Sequence, residues 1–289
     1  MKNVLVWVLL GAGLPGAKVF AAEVITARQV IEQMKAHTGK PWTTPTVDTF
    51  KAGDPDTPVT GIATTFSATF DVLERAAAQG KNFIIAHEPT YYNHLDETDW
   101  LKNDPVYQQK LAFIQVHHMV VFRFHDHWHS MTPDGIRRGM ATALGWEQYQ
   151  DAQNPFRFVL PQTTLASLAA QIKDRLHIRT LRVVGDPNLR VSQIGFLPGA
   201  AGEQRQVQLL ERSDIQVLVA GESREWETVE YAWDAQKEHR HKALILMGHD
   251  VSEEEGMRYC AEWLKSFLKI PIEYIPAGEP FWTPPAGKP

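Results

Sequence analysis

Phe70-Asp71-Val72-Leu73-Glu74-Arg75-Ala76-Ala77-Ala78-Gln79-Gly80-Lys81-Asn82-Phe83-Ile84-Ile85-Ala86-His87-Glu88-Pro89 is the stretch on which the fold class turns. The apolar spacing from Phe70 predicts a helix to about Gln79, and Gly80 supplies the residue that closes it. Phe83 to Ala86 is a short, wholly apolar run ending at Pro89, which cannot continue a strand, so it reads as a buried strand. With a further strand expected over 59–66, the three pieces make a βαβ unit. Strands that alternate with helices in this way place the chain in the α/β class.

Working outward, the same pattern recurs. Thr26-Ala27-Arg28-Gln29 reads as a capping box opening a helix with Val30, Ile31 and Met34 on one face, and the Pro-, Thr- and Asp-rich stretch 41–58 reads as loop. Asp104-Pro105 is an N-cap followed by proline at the first helical position, and that helix feeds the apolar strand 119–124. A helix over 135–144 stops at Gly145, and the polar segment 147–155 reads as a junction between domains. Beyond it we expect strands over 156–160, 180–184, 191–197, 215–220 and 243–247. Helices are expected over 164–176, 203–212, 226–238 and after Ser252, with a last apolar run over 270–275.

Three of these strands run straight into histidine and carboxylate: His87-Glu88, His125-Asp126-His127-Trp128-His129, and His249-Asp250 with Glu253 beyond. Functional groups collect at the carboxyl ends of strands in open α/β sheets, so the three endings are expected to converge. His87 and Glu88 are adjacent and would face opposite ways in a regular strand, so they share a centre only where the backbone turns. His125, His127 and His129 alternate and would share one face if the strand continued. They account for three of the chain's 12 histidines within five residues, which surface polarity alone explains poorly. Gly248 permits close backbone approach before His249, and Ser252 with Glu255 resembles a capping box that sets Glu253 in the first turn of a helix. The competing reading of Glu253-Glu254-Glu255 is that they only complement the helix dipole. A mixed imidazole and carboxylate set suits Zn, Mn or Fe better than Mg or Ca, and more than four ligands implies two ions.

Composition narrows the rest. With 289 residues, 44% of them hydrophobic, the chain can bury a substantial core. A net charge of -5 and a pI near 6.2 give no basic field for nucleic acid. Lys2, the short apolar run 4–10 and the small residues up to Ala21 read as a secretory signal over 1–21, too short to anchor in a bilayer. A buried N-terminal helix competes with that reading but is interrupted by Gly11, Gly13, Pro15 and Gly16. The single Cys260 excludes an intrachain disulfide and lies among Met257, Ala261 and Leu264 on the apolar face of a helix, so it reads as core.

The order of these motifs resembles the Nif-three-like dinuclear metal proteins, often labelled GTP cyclohydrolase type 2 homologues. The resemblance runs over most of residues 24–275 and is strongest at Gly248-His249-Asp250-Val251-Ser252-Glu253 and in Leu218-Val219-Ala220-Gly221-Glu222. It implies two α/β lobes in one chain: 22–150 plus 240–289 as the first, 151–239 as the second. The metals lie in the cleft between them, with the C-terminal segment returning to the first lobe. That family's first motif ends His-His-Pro, its second reads His-Thr-x-x-Asp, and its last is Gly-His-x-x-x-Glu. Here Glu88 replaces the second His and His129 replaces the Asp, two changes that compensate each other. The implied shell is then His87, Glu88, His129, His249 and Glu253, with His125 as a further ligand or as a group that orients the others.

The resemblance also implies a homo-oligomer, commonly a hexameric ring. Gly199-Ala200-Ala201-Gly202 matches the family's Gly-rich turn and serves either an anion or, the simpler reading, tight packing. Glu222 lines the cleft as a candidate general acid or base. The expected function is an exported hydrolase in which two divalent ions hold a bridging hydroxide and act on a small-molecule substrate. A non-catalytic metal-binding or scaffold protein is the alternative. His125-Asp126-His127 also resembles the His-x-His of an amidohydrolase barrel, but too little chain follows it to complete one.

Overall fold

The computed structural model describes residues 25–282 and 284; the expected signal segment 1–21 lies outside them. The expected capping box is present: Thr26 accepts from the Gln29 amide, and the Gln29 side chain accepts from the Thr26 amide, opening α1 (Ala27–His37). The stretch expected to be loop holds a short strand, β1 (Phe50–Ala52), paired antiparallel with β4 (Val120–Arg123). Three residues with Gly53 after them carry too little alternation to register as a strand. β2 (Ile62–Thr65), α2 (Phe70–Ala78) and β3 (Phe83–Ala86) form the βαβ unit, and α3 (Pro105–Val116), capped by Asp104, leads into β4.

The strand does not continue through the histidines. It ends at Arg123, and residues Asp126–Ser130 form a short helix, α4. The cause is Asp48, whose carboxylate accepts from the amides of His125, Asp126 and His127 at 2.7–3.0 Å and so caps the new helix from a distant loop. Then come α5 (Gly135–Leu144), stopped by Gly145 at φ +70, β5 (Arg157–Thr164), α6 (Leu165–Leu176), β6 (Arg182–Val184), β7 (Arg190–Leu197), α7 (Glu203–Leu210) and β8 (Val217–Ala220). A π-turn (Glu225–Val229) precedes α8 (Glu230–Lys237), and the chain ends with β9 (Ala243–Leu246), α9 (Glu254–Lys265) and β10 (Ile272–Tyr274).

Two five-stranded sheets result, ordered β1-β4-β3-β2-β10 and β5-β7-β8-β9-β6. β4, β3, β2 and β10 run parallel, as do β7, β8 and β9, with antiparallel strands at the other edges. Two open sheets of this kind leave no place for an amidohydrolase barrel. The return to the first lobe lies later than the expected boundary at 240: β9 pairs with β8 and β6 in the second sheet, and only α9 and β10 cross back.

Side-chain alternation assigns each face. Phe83, Ile85, Val217 and Val219 point into one shared core with α1, α5, α6 and α9, whereas Ile84 and Ala86 pack under α2, and Leu218 and Ala220 under α7 and α8. The central helices α5 and α9 therefore sit between the sheets, and Cys260 is buried there as core. Among the described residues no helix is long and apolar enough to cross a membrane.

Candidate metal centre

The carboxyl ends of β3, β4, β8 and β9 all open on one cleft, so residues from both sheets meet there. His87 follows β3 and is fully buried, while Glu88 turns beside it. Their shared reach is possible because the chain turns off the ladder here: the His87 amide is shared between the Thr65 and Phe66 carbonyls at 3.1 and 3.0 Å, and the Glu88 amide bonds back to Phe66 at 2.8 Å. α4 supplies His125 and His129 one helical turn apart, with ring centroids 4.9 Å from each other. Two residues past the end of β9 at Leu246, Gly248 at φ +99 turns the chain and delivers His249.

Glu253 arrives by a different route than the expected capping box. Ser252 does not cap a helix: its hydroxyl donates to the His249 carbonyl at 2.6 Å and accepts from the Gly199 amide at 2.8 Å. Glu253 is itself the N-cap of α9, 2% exposed, with its carboxylate in the cluster. Gly199 makes this possible. A Cβ at that position, which has φ +68, would stand 2.2 Å from Glu253 Oε1. The Gly-rich turn is thus there for close packing on a site carboxylate.

The four imidazoles share one arrangement. His87 Nδ1 donates to the Phe124 carbonyl at 3.1 Å, His125 Nδ1 to Asp126 at 2.9 Å and His129 Nδ1 to Asp134 at 3.1 Å; His249 Nδ1 faces Glu222 at 3.3 Å. Each Nε2 is left for the centre. His87 Nε2 is 3.4 Å and His249 Nε2 3.2 Å from Glu253 Oε2, while His129 Nε2 is 3.8 Å from Glu253 Oε1. Glu88 Oε1 is 3.5 Å from His125 Nε2 and 3.4 Å from His249 Nε2. Ligand atoms bound about 2.1 Å from a common ion stand about 3–3.5 Å apart, the spacing seen here.

His87 Nε2 is buried without a hydrogen-bond partner, a costly state for a ring nitrogen that an ion would relieve. One donor atom each from His87, His125 and His129 lie within 4.8 Å of one another, and so do those of His87, Glu88 and Glu253. The residues fit a metal site, with His87 common to both groups.

Electrostatics agree with the packing. Burial opposes a charge on His249, but Glu222, Glu253 and Glu88 outweigh it and push its pKa up to about 12. Burial, with the neighbouring His87, brings His125 down to about 4. Burial works against the Glu253 anion too, yet His249 and His87 hold its carboxyl well below the usual range. Glu222, about half exposed at the rim, is lowered by its contact with His249.

The expected face shared by three histidines is corrected. In a helix, His127 points away from His125 and His129, and it is buried on the opposite side. Its Nδ1 donates to Asp48 at 2.7 Å, its Nε2 accepts from the Thr43 amide at 2.9 Å, and its ring stacks on Trp42 at 3.7 Å. His127→Ala is therefore expected to leave metal content unchanged while lowering stability by about 2–3 kcal/mol, measured by denaturant unfolding. Loss of metal in that variant would return His127 to the site.

Several supporting groups escape sequence reasoning. Asp48 is one; Asp134, which caps α5 through the Arg137 amide while holding His129, is another. The signal for Asp134 was the Pro133-Asp134-Gly135 helix start just beyond the histidines. Fully buried Arg123 is the third: it donates to Glu88 Oε2 at 3.1 Å and to the His87 carbonyl at 3.1 Å, so only one oxygen of Glu88 faces the centre.

An α/β protein with two open sheets and a histidine–glutamate cluster fed by strand ends of both is the class this fold and site define. The family described as Duf34/NIF3 (NGG1p interacting factor 3) matches residues 47–277, and the chain belongs to it. A curated relative, the "GTP cyclohydrolase 1 type 2 homolog" of Chlamydia pneumoniae, is 23% identical over 241 residues, spanning 80% of this chain and 89% of the relative. Among solved structures, a hypothetical protein of Staphylococcus aureus superposes with a TM-score of 0.70 at 20% identity, covering 90% of this chain and 100% of that one. A Bacillus cereus protein related to NIF3 gives 0.67 at 14% identity, covering 92% and 100%. These likenesses bear out the α/β fold and the family that the motifs resembled.

Proposed function

We propose that the protein is an exported metal-dependent hydrolase whose centre takes two divalent transition-metal ions, Zn, Mn or Fe. The observation that supports it best is the common aim of His87, His125, His129 and His249. Each has Nδ1 directed at an outward acceptor and Nε2 turned toward Glu88 and Glu253. Outward carboxylates of this kind set the tautomer and raise ligand basicity. The donors outnumber what one tetrahedral ion uses, which favours two. Bound ions would supply Lewis acidity toward a carbonyl or phosphoryl oxygen.

The protein's own residues do the rest. Asp126 and Asp134 hold the rings of α4, and Arg123 fixes the second oxygen of Glu88. Glu222 steadies His249 and, with an exposed oxygen at the rim, is the group placed to move a proton to or from a small-molecule substrate. Export rests on the segment 1–21 and implies that the GTP chemistry in the relative's printed name does not carry over. A homo-oligomer, hexameric by family resemblance, completes the reading. Elemental analysis of purified protein, followed by phosphoester, ester, amide and cyclic-nucleotide substrates, tests it. Metal without turnover of any of them would favour the non-catalytic alternative.

Loading should also displace protons. In the metal-free protein His249 keeps its proton at neutral pH, because its pKa is raised to about 12, whereas His125, lowered to about 4, has none to lose. Binding needs the neutral ring, so affinity is expected to fall as pH falls and at least about one proton should leave at neutral pH. Calorimetric titration with zinc in buffers of different ionisation enthalpy reads this as a slope, and a flat response would contradict it.

A further inference from the structure

The cleft above the cluster encloses about 570 Å³, a small-molecule size, and its lining includes two arginines that the metal reading leaves unused. Arg137 lies in the first turn of α5. Its Nε donates to Asp134 Oδ2 at 3.2 Å, the same oxygen that takes the His129 proton, and its Nη1 is buried without a partner. Arg205 lies in the first turn of α7 and makes no ion pair among the described residues. Both guanidiniums converge on one ring: the Cζ of Arg137 is 4.1 Å and that of Arg205 5.6 Å from the centre of Phe156. Two like charges drawn to one aromatic ring repel each other, and the ring quadrupole offsets only part of that.

Arg137 shares Asp134 with His129 and keeps an unpartnered Nη1, and among the described residues no carboxylate of the cleft pairs with Arg205. Glu88 is taken by Arg123, Asp126 by His125 and Thr46, Asp134 by His129 and Arg137 together, and Glu253 by His249. The missing partner is then an anion from outside. A carboxylate offers two oxygens, which one guanidinium fork already satisfies. A phosphoryl group offers three peripheral oxygens and up to two charges, enough for two forks. Leu197, Pro198 and Ala201 beside it give an apolar wall for the organic part of such a molecule.

We propose that Arg137 and Arg205 grip the phosphoryl group of a phosphate-bearing small molecule whose reacting end lies at the His/Glu cluster. The identity of the reacting end rests on the hydrolase reading; the grip does not. The test is calorimetric titration of the full-length protein with inorganic phosphate, after its metal content has been measured, with acetate as the comparison anion. Arg205→Ala is expected to weaken phosphate binding about ten- to hundredfold with metal content and melting temperature unchanged, since a charge-assisted fork is lost. Arg205→Lys, keeping charge without the fork, should recover part of it. Equal phosphate affinity in Arg205→Ala and wild type would overturn the proposal, as would acetate binding as tightly as phosphate or wild type that binds no phosphate. A wild type without metal would remove the hydrolase reading alone, because dependence of phosphate binding on Arg205 is read on that same protein.

Discussion

Glu253→Ala is expected to reduce metal affinity by more than about a hundredfold, the loss exceeding what outer groups contribute. Its two oxygens reach three of the four imidazoles, His87 and His249 through one and His129 through the other, so no other side chain touches as much of the centre. Gly199→Ala should come close to the same loss without removing any ligand. The added Cβ would stand 2.2 Å from Glu253 Oε1, and either the carboxylate or the turn must leave its place. The control is Gly202→Ala, in the same loop. It also has positive φ, at +82, but a Cβ there meets nothing within 4 Å, so it carries only the backbone strain of about 1–2 kcal/mol. Elemental analysis of the three variants after equal loading decides the matter. Metal retained in Gly199→Ala would show that Glu253 is not held where its chemistry requires.

Strand ends were legible because buried parallel strands are short and apolar and stop at conspicuous polar residues; that signal singled out His87, Glu88 and His249, and the family resemblance grouped them into one candidate shell. What local sequence does not carry is the partner that bends the chain. Whether His125 to His129 continue as strand or turn into helix is decided by Asp48, 77 residues before His125. Three alternating histidines look like one face of a strand, yet the turn keeps His125 and His129 and expels His127. Ser252 misled for a related reason: its hydroxyl has a better partner in the Gly199 amide, across the chain, than at the helix start. The sheet to which β9 belongs was equally hidden, since an apolar run says that a strand is buried and not what lies beside it. The family pattern named the candidate ligands but could not show that the Nδ1 atoms of their imidazoles all face outward.

The second large effect lies away from the ligands, where α5 crosses α9. A Cβ on Gly139 would stand 2.4 Å from the Glu255 carbonyl oxygen and 2.6 Å from Gly256 Cα, and one on Gly256 would stand 2.5 Å from Ile136 Cα. These are backbone atoms of two helices buried between the sheets, so no rotamer change relieves the overlap. Alanine has a helix-propensity advantage of about 1 kcal/mol over glycine, but forced separation of packed helices costs about 1–3 kcal/mol or more. Here the helices must part along their backbones, so separation wins. Gly139→Ala is expected to lower stability by about 2 kcal/mol, a fall of about 4–8 °C in melting temperature for a chain of this size class. The consequence extends to the site. Glu253 is the N-cap of α9, and Glu255 and Gly256 in its first turn are what Gly139 touches. Moving that turn moves the carboxylate joining three imidazoles, so metal affinity should fall along with stability. Gly80→Ala, where a Cβ meets nothing within 4 Å, gives the comparison for strain without displacement of α9. Should Gly139→Ala melt at the wild-type temperature, the two helices would have to be farther apart than their glycines imply. Should it melt lower yet bind metal normally, Glu253 would be positioned by Gly199 and His249 independently of the helix that follows it.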